Sequence, residues 1–383
     1  MEEHGIELGE LRDSIRQVLD EHHAVVGNDI PDEEGRPVDR ELWTQMANLG
    51  WLALGIDESF GGLGLGAGHV AVLHEELGRS LASVPATTLI AAEAIGQGGS
   101  PDQQAEWLPL VATGELMATI LLPSTLGNVP AIANDRLSGR YDHVPFADVA
   151  QLFLLPVAQA DGTLALALLR AGSDGVSVRR RSAIDLTRSL GEVHVTDVAL
   201  QAGDLIPLSD TLIATLRSHA DVALACDAVG GAAAALERAI DYMGVREQFG
   251  RPIGSFQALK HRAANWKVLL EAATALARHS AEAVASGEVE AEALAASAKF
   301  YCCDVYAALA ADVIQLHGGI GFTWEHVCHL FLKRAKLNQQ MFGNSVEHKE
   351  RVARLAFPSL AMQSGDGSQE GIATLNAPEL NAV

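Results

Sequence analysis

The 383 residues predict a mainly helical chain with a central β domain, closed by a four-helix bundle. Three observations carry this expectation. Apolar residues recur at three- and four-residue spacing up to about residue 117. Short apolar runs separated by turn residues occupy 118–205. Long stretches of good helix formers with short connections follow. The expected division is an N-terminal helical domain at 1–117, a middle β domain at 118–205, a C-terminal bundle at 206–362 and a disordered tail at 363–383.

In the first segment Leu8, Leu11, Ile15 and Val18 fall on one helical face, and Ser100 followed by Pro101 caps and opens the helix that carries Trp107, Leu108 and Val111. The run from Phe60 through Gly61, Gly62, Gly64 and Gly66 reads as a turn. A phosphate cradle would need a preceding strand and a Lys-Ser/Thr ending. Strands are expected at 118–122, 151–157, 163–169, 175–178 and 192–198, with His194 on a half-buried strand and facing solvent. Arg179, Arg180 and Arg181 then form a solvated turn, or meet phosphates of a ligand. Bundle helices are expected at about 209–245, 256–286, 289–316 and 324–341. Gly230-Gly231 inside the first of them costs about 1 kcal/mol each relative to alanine, which close helix packing would offset.

Composition excludes several functions. With 27 Lys+Arg against 49 Asp+Glu the formal charge is −22, the wrong sign for a general nucleic-acid binder. Hydrophobic residues make up 48% and charged residues 20%, far from a disordered composition. The apolar runs 152–157 and 163–169 are much shorter than the roughly 20 residues that cross a bilayer. The acidic start lacks the basic and apolar parts of a secretory signal, so a soluble cytoplasmic protein without membrane association is expected. Cys226, Cys302, Cys303 and Cys328 show neither a disulfide framework nor metal-ligand spacing and read as reduced core thiols. No metal is expected, and His317 and His329 read as packing or surface residues.

Two segments concentrate ligand-binding groups, each at the end of a long predicted helix. Arg246-Glu247-Gln248-Phe249-Gly250 with Phe256-Gln257 gathers a guanidinium, amides and aromatic rings around glycine. Gln315 with Gly318-Gly319 and Gly321-Phe322 is followed by Thr323, which resembles an ordinary helix stop and restart with Thr323 as cap. The residues alone leave both a ligand site and simple helix termination open.

In type, spacing and order these segments resemble the acyl-CoA dehydrogenase family. So do Leu49-Gly50-Trp51, Phe60-Gly61-Gly62, Glu75-Glu76-Leu77-Gly78-Arg79 and Asp185-Leu186-Thr187-Arg188, and the resemblance extends over most of the chain. It implies a helical domain, a β domain and a four-helix bundle assembled around FAD. A carboxylate removes the α proton of an acyl-CoA while the β hydride passes to the flavin, and an electron-transferring flavoprotein reoxidises the complex. By the resemblance, Arg246 pairs with the FAD pyrophosphate, Gln248 and Phe249 flank it, and Gln257, Gln315, Gly318 and Gly319 contact the adenosine and pyrophosphate half, in a neighbouring subunit's cofactor.

Three departures from the family qualify the implied activity. Where the family's commonest base lies in Tyr-Glu-Gly-Thr, this chain has Met341-Phe342-Gly343-Asn344. The alternative base position, 26 residues before Arg246, is Ala220. The flavin-ring segments are altered to Leu121-Leu122-Pro123-Ser124-Thr125-Leu126-Gly127-Asn128 and His143-Val144-Pro145-Phe146. No catalytic residue is therefore expected. Asp221, rotated roughly 100° from Ala220, and Asp227, roughly 10 Å along the helix, are weak candidates that read better as solvent-facing or structurally paired. Glu247 and Glu325 read as helix-end carboxylates, and Lys333-Arg334-Ala335-Lys336 as cations meeting a helix C-terminus.

The implied role is a subunit of a heteromeric acyl-CoA dehydrogenase that completes the FAD site of a homologous catalytic partner, as in enzymes of bacterial steroid side-chain degradation. The alternatives are a homo-oligomeric enzyme with a displaced carboxylate and a flavin-free scaffold.

Overall fold

The computed structural model describes residues 7–22, 38–122 and 129–357. The expected tail and residues 123–128 of the altered flavin segment lie outside the described residues.

Among the described residues five α-helices build the first section: α1 (Leu8–His22), α2 (Arg40–Asn48), α3 (Ala67–Arg79), α4 (Thr87–Gly98) and α5 (Pro101–Ala112). The face α1 buries is Leu11, Ile15 and Leu19, whereas Leu8, expected on it, is exposed at the helix start. At α5 the Ser100–Gln103 pair closes a full capping box, each side chain serving the other's backbone N–H.

Among the described residues two four-stranded sheets follow, from β1 (Ala118–Ile120), β2 (Ile132–Ala133), β3 (Arg136–Pro145), β4 (Leu152–Ala158), β5 (Leu164–Arg170), β6 (Val176–Arg181), β7 (Leu190–Ala199) and β8 (Leu205–Pro207). Their orders are β1-β4-β5-β8 and β2-β3-β7-β6. Leu137, Tyr141, Phe153, Leu155, Val193 and Val195 meet in one core between the sheets. The sequence reading missed β3 because its register shifts at Leu137/Gly139 and Tyr141/Val144 break the alternation of apolar residues. Arg179, Arg180 and Arg181 are not in a turn. They lie on the exposed edge strand β6, where Arg181 pairs with Glu192 and Arg180 lies 3.6 Å from Asp148.

The last section comprises α6 (Asp210–Val245), a hairpin of β9 (Glu247–Gln248) and β10 (Arg251–Pro252), α7 (Gln257–Ser286), α8 (Ala291–His317), α9 (Cys328–Gln340) and α10 (Ser345–Ala356), the last unforeseen from sequence. The glycine pair in α6 marks the closest helix crossing. A Cβ on Gly230 would lie 1.8 Å from the Glu75 carbonyl oxygen of α3, and one on Gly78 of α3 would lie 2.2 Å from the Asp227 carbonyl oxygen. By length and composition α6 and 291–322 are apolar enough to cross a membrane, but 89% and 61% of their most apolar windows are buried inside the fold, as core helices are. All four cysteines are buried and unpaired.

Thr323 does not restart a helix. A 3-10 turn at Gly318–Phe322 comes first, the Thr323 hydroxyl donates to the Ile320 carbonyl at 3.0 Å, and α9 begins only at Cys328. Arg334 is not a helix-end cation either. It is fully buried in mid-α9, where Nε donates to Asp185 Oδ2 at 2.8 Å, Nη1 to Asp227 Oδ2 at 3.2 Å and Nη2 to the Ala82 carbonyl at 3.1 Å. One guanidinium thus joins the helical section, the approach to β7 and the bundle.

Candidate functional site

The two segments flagged in the sequence come together at one end of the bundle. The Tyr242 ring, one turn before Arg246, stacks on the His317 ring that ends α8, with centroids 4.4 Å apart. Beyond α6 the chain turns through Phe249 and Gly250, both at positive φ (55° and 77°), which suits the tight loop joining β9 to β10. Phe249 meets Phe256 edge-on at 6.1 Å, and the Arg251 guanidinium lies 4.1 Å over the Phe256 ring.

Arg246, Gln248, Phe249, Gln257, Gln315, Gly318 and Gly319 are all exposed on this rim. Among the described residues, the Arg246 guanidinium and the amides of Gln257 and Gln315 have no hydrogen-bond partner, so their donors face outward. Nothing lies within 4 Å of a Cβ built on Gly318 or Gly319, which leaves the backbone open to a ligand. An outward fork of donors beside open glycines fits the phosphates and polar edges of a dinucleotide such as FAD.

Two of the three departures, the Phe342 turn and the altered flavin segments, meet elsewhere, in a cleft of about 540 Å³ lined by Leu121, Leu122, His143, Pro145, Met341, Phe342, Gly343 and Asn344. α9 separates this cleft from the rim: Cys328 at its start lies 3.4 Å from His317, and twelve residues later its end, Gln340, lines the cleft, about 18 Å away. The Phe342 turn is fixed from below by Lys299, a fully buried ammonium that donates to the carbonyls of Gln339 and Gly343. Burial lowers the proton affinity of this amine. Ala220 is packed in a hydrophobic core.

Neither weak catalytic candidate lines the cleft, and neither faces solvent. Both are about 1% exposed. Asp221 meets His348 Nε2 at 2.8 Å and pairs with Arg351. Asp227 accepts from Arg188 at 2.5 Å, from Arg334 at 3.2 Å and from Asn338 at 2.6 Å. Burial would raise the Asp227 carboxyl, but the two guanidiniums and the Asn338 amide outweigh it and hold the group below its ordinary value. Such a carboxylate is a structural counter-ion and a poor proton acceptor. Glu247 and Glu325 are exposed, away from the cleft.

The sequence reading missed two carboxylates that do line the cleft, Asp142 on β3 and Glu347 on α10. Asp142 pairs with Arg140 at 2.6 Å, and Glu347 Oε2 accepts the Asn344 N–H at 2.8 Å. The signal for Glu347 was present, because Asn344 and Glu347 have the spacing of a capping box.

The family model for the acyl-CoA dehydrogenase N-terminal domain matches residues 7–115, and that for the C-terminal domain matches 214–357. Acyl-CoA dehydrogenase IpdE2 of Mycobacterium tuberculosis is 31% identical over 344 residues, covering 89% of this chain and 95% of the relative. Acyl-CoA dehydrogenase FadE27 of the same organism is 29% identical over 330 residues, covering 82% and 88%. Among solved structures, the ChsE4-ChsE5 complex from Mycobacterium tuberculosis contains a chain that superposes with a TM-score of 0.82 at 26% identity, covering 96% of this chain and 100% of that one. A chain of a variant of the Tcur3481-Tcur3483 steroid ACAD gives 0.81 at 29% identity, covering 92% and 98%.

Proposed function

Because this chain belongs to the acyl-CoA dehydrogenase family, whose members use FAD, we propose that it is the non-catalytic subunit of a heteromeric enzyme. Its partner is a homologous catalytic acyl-CoA dehydrogenase, and the substrate is a bulky acyl-CoA such as a steroid side-chain thioester. One observation carries the reading: every residue suited to the nucleotide half of FAD is exposed on the rim, while Phe342 and Ala220 stand at both positions where a base belongs. Bound FAD supplies the hydride acceptor for α,β-dehydrogenation. This chain's residues position it: Arg246 forks onto the pyrophosphate, Gln248 and Phe249 flank it, and Gln257, Gln315, Gly318 and Gly319 hold the adenosine side. An electron-transferring flavoprotein in the cytoplasm takes up the electrons from the complex.

Co-expression with a candidate catalytic partner tests this. The expected assembly holds about one flavin per two chains, the chain alone is nearly colourless, and Arg246→Ala lowers the flavin content of the assembly. A lone preparation that carries one flavin per chain, bleached by a saturated acyl-CoA, overturns the proposal.

The presence of Glu347 in the cleft favours one second reading, a homo-oligomeric dehydrogenase with this carboxylate as displaced base. It requires that Glu347→Gln, whose amide oxygen can keep the cap on α10, abolish substrate-dependent bleaching by this chain alone. On the primary reading the substitution leaves turnover by the assembly unchanged.

A further inference from the structure

Behind the rim, His317, His326 and Cys328 each bring a potential ligand atom to within 4.8 Å of the others. They come from three successive local structures: His317 ends α8, His326 lies in the turn after the 3-10 segment, and Cys328 opens α9. Cys328 Sγ lies 3.4 Å from His317 Nδ1, and the two imidazole rings stand 4.6 Å apart between centroids.

The His317 imidazole is already oriented. His317 Nδ1 lies 2.8 Å from the Val313 carbonyl, which can only accept, so Nδ1 carries the proton and Nε2 keeps its lone pair. A backbone carbonyl holding the distal N–H is how metal-binding imidazoles are fixed in one tautomer. The Tyr242 ring stacked at 4.4 Å sets the plane of the same imidazole. The Cys328 N–H donates to His326 Nδ1 at 3.3 Å, so in the metal-free ring the proton sits on Nε2, and metal binding requires His326 to give up either that long bond or that proton. Cys328 is fully buried and His317 nearly so, while half-buried His326 marks the side open to solvent. The next residue, His329 in the first turn of α9, is buried with neither ring nitrogen hydrogen-bonded among the described residues.

We propose that His317, His326 and Cys328 bind a zinc ion. Two imidazoles and a thiolate are a donor set that selects zinc over the hard cations, and three protein ligands leave one coordination position for water. On binding, the Cys328 thiol releases its proton to solvent and the sulfur donates to the metal, with no change of oxidation state. The ion ties the end of α8 to the start of α9 across the Gly318–Phe322 turn. The site is independent of the flavin assignment and is tested without it.

The test uses the untagged full chain, freed of metal with a chelator and titrated with Co²⁺ and then Zn²⁺. The expected result is about one equivalent of Co²⁺ bound with a near-ultraviolet thiolate-to-cobalt charge-transfer band that Zn²⁺ abolishes. Cys328→Ser should remove the band, and His326→Ala, at a half-buried position that tolerates truncation, should weaken Co²⁺ binding at least about tenfold with the circular dichroism unchanged. Absence of the band in the native chain overturns the proposal. So does unaltered Co²⁺ binding by folded His326→Ala, which would place the metal on other surface histidines.

Discussion

Replacing Asp227 with asparagine keeps the side-chain volume and removes one charge from between two buried guanidiniums. Asp227, Arg188, Arg334 and Asn338 are at most 9% exposed, and Asp227 Oδ2 receives both arginines, at 2.5 and 3.2 Å. After the substitution Arg188 and Arg334 share a low-dielectric site in which Asp185 is the remaining carboxylate bonded to either. The Asn338 amide, 2.6 Å from Oδ1, must then compete with a second amide. Removing one partner of a buried ion pair costs about 3–5 kcal/mol, against about 1 kcal/mol or less for an exposed pair, and the second arginine favours the upper end. The pH dependence has a definite sign. A carboxyl held below its unfolded value stabilises the fold above that value and loses the contribution as pH falls through the folded value. The gap between native and variant should therefore be full at neutral pH and narrow below about pH 4. Urea unfolding followed by far-ultraviolet circular dichroism measures it, and acyl-CoA-dependent flavin bleaching of the assembly measures chemistry on the same sample. The expected outcome is a large loss of stability with bleaching per folded assembly unchanged. Native stability combined with lost bleaching would refute the structural role and restore Asp227 as a base.

Other perturbations probe the packing around this network. Gly230→Ala places a methyl 1.8 Å from the Glu75 carbonyl oxygen, forcing α3 from α6, and should cost about 3 kcal/mol or more in urea unfolding. Gly96→Ala, in α4 with open space around the new methyl, should instead stabilise by about 1 kcal/mol in the same measurement. His74, 4% exposed, is pushed down to about 4 chiefly by burial, Asp227 opposing and Arg188 adding to the shift. The unfolded chain takes up that proton near pH 6.5 and the folded chain does not, so stability should fall by about 2 kcal/mol between about pH 7.5 and pH 5. His74→Gln should remove that part of the slope and leave the part due to His348 and His329, which burial also pushes down to about 4.

What the sequence makes legible follows the range of the interaction. The three- and four-residue spacing of Leu11 and Ile15, the Ser100 cap before Pro101 and the length of α6 are local, and the structure has each of them. The glycine pair also signals correctly, because only a close crossing offsets its intrinsic cost at Gly230. Strand β3 is obscured by its own irregularity: its two register shifts put charged and apolar residues out of step. Arg334 fails for another reason. Its place near basic neighbours suggests a helix dipole, but its partner Asp185 lies 149 residues earlier, where no spacing rule reaches. The same holds at the site. Each rim segment alone leaves a ligand site and simple helix termination open, and their union depends on Tyr242 stacking on His317 across two helices.

The distribution of buried and exposed groups bears on why such a chain would need a partner. Its own sections are joined by internal polar contacts: buried Arg334 reaches Ala82, Asp185 and Asp227, and Arg12 and Arg278 converge on Glu75 at 3.1 and 2.9 Å. Nothing in that network requires a second subunit. The rim is built on the opposite principle. Phe249, three residues after Arg246, is 92% exposed, and Phe322 and Trp324, which follow Gln315 and the open glycines, are 80% and 50% exposed. Large aromatic groups gathered at one end of a bundle gain free energy only when something covers them, and such exposure marks interaction surfaces. A catalytic subunit bearing FAD would cover the rings and satisfy the donors in a single docking event. The fold would then be complete before association, and the cofactor site would be complete only after it.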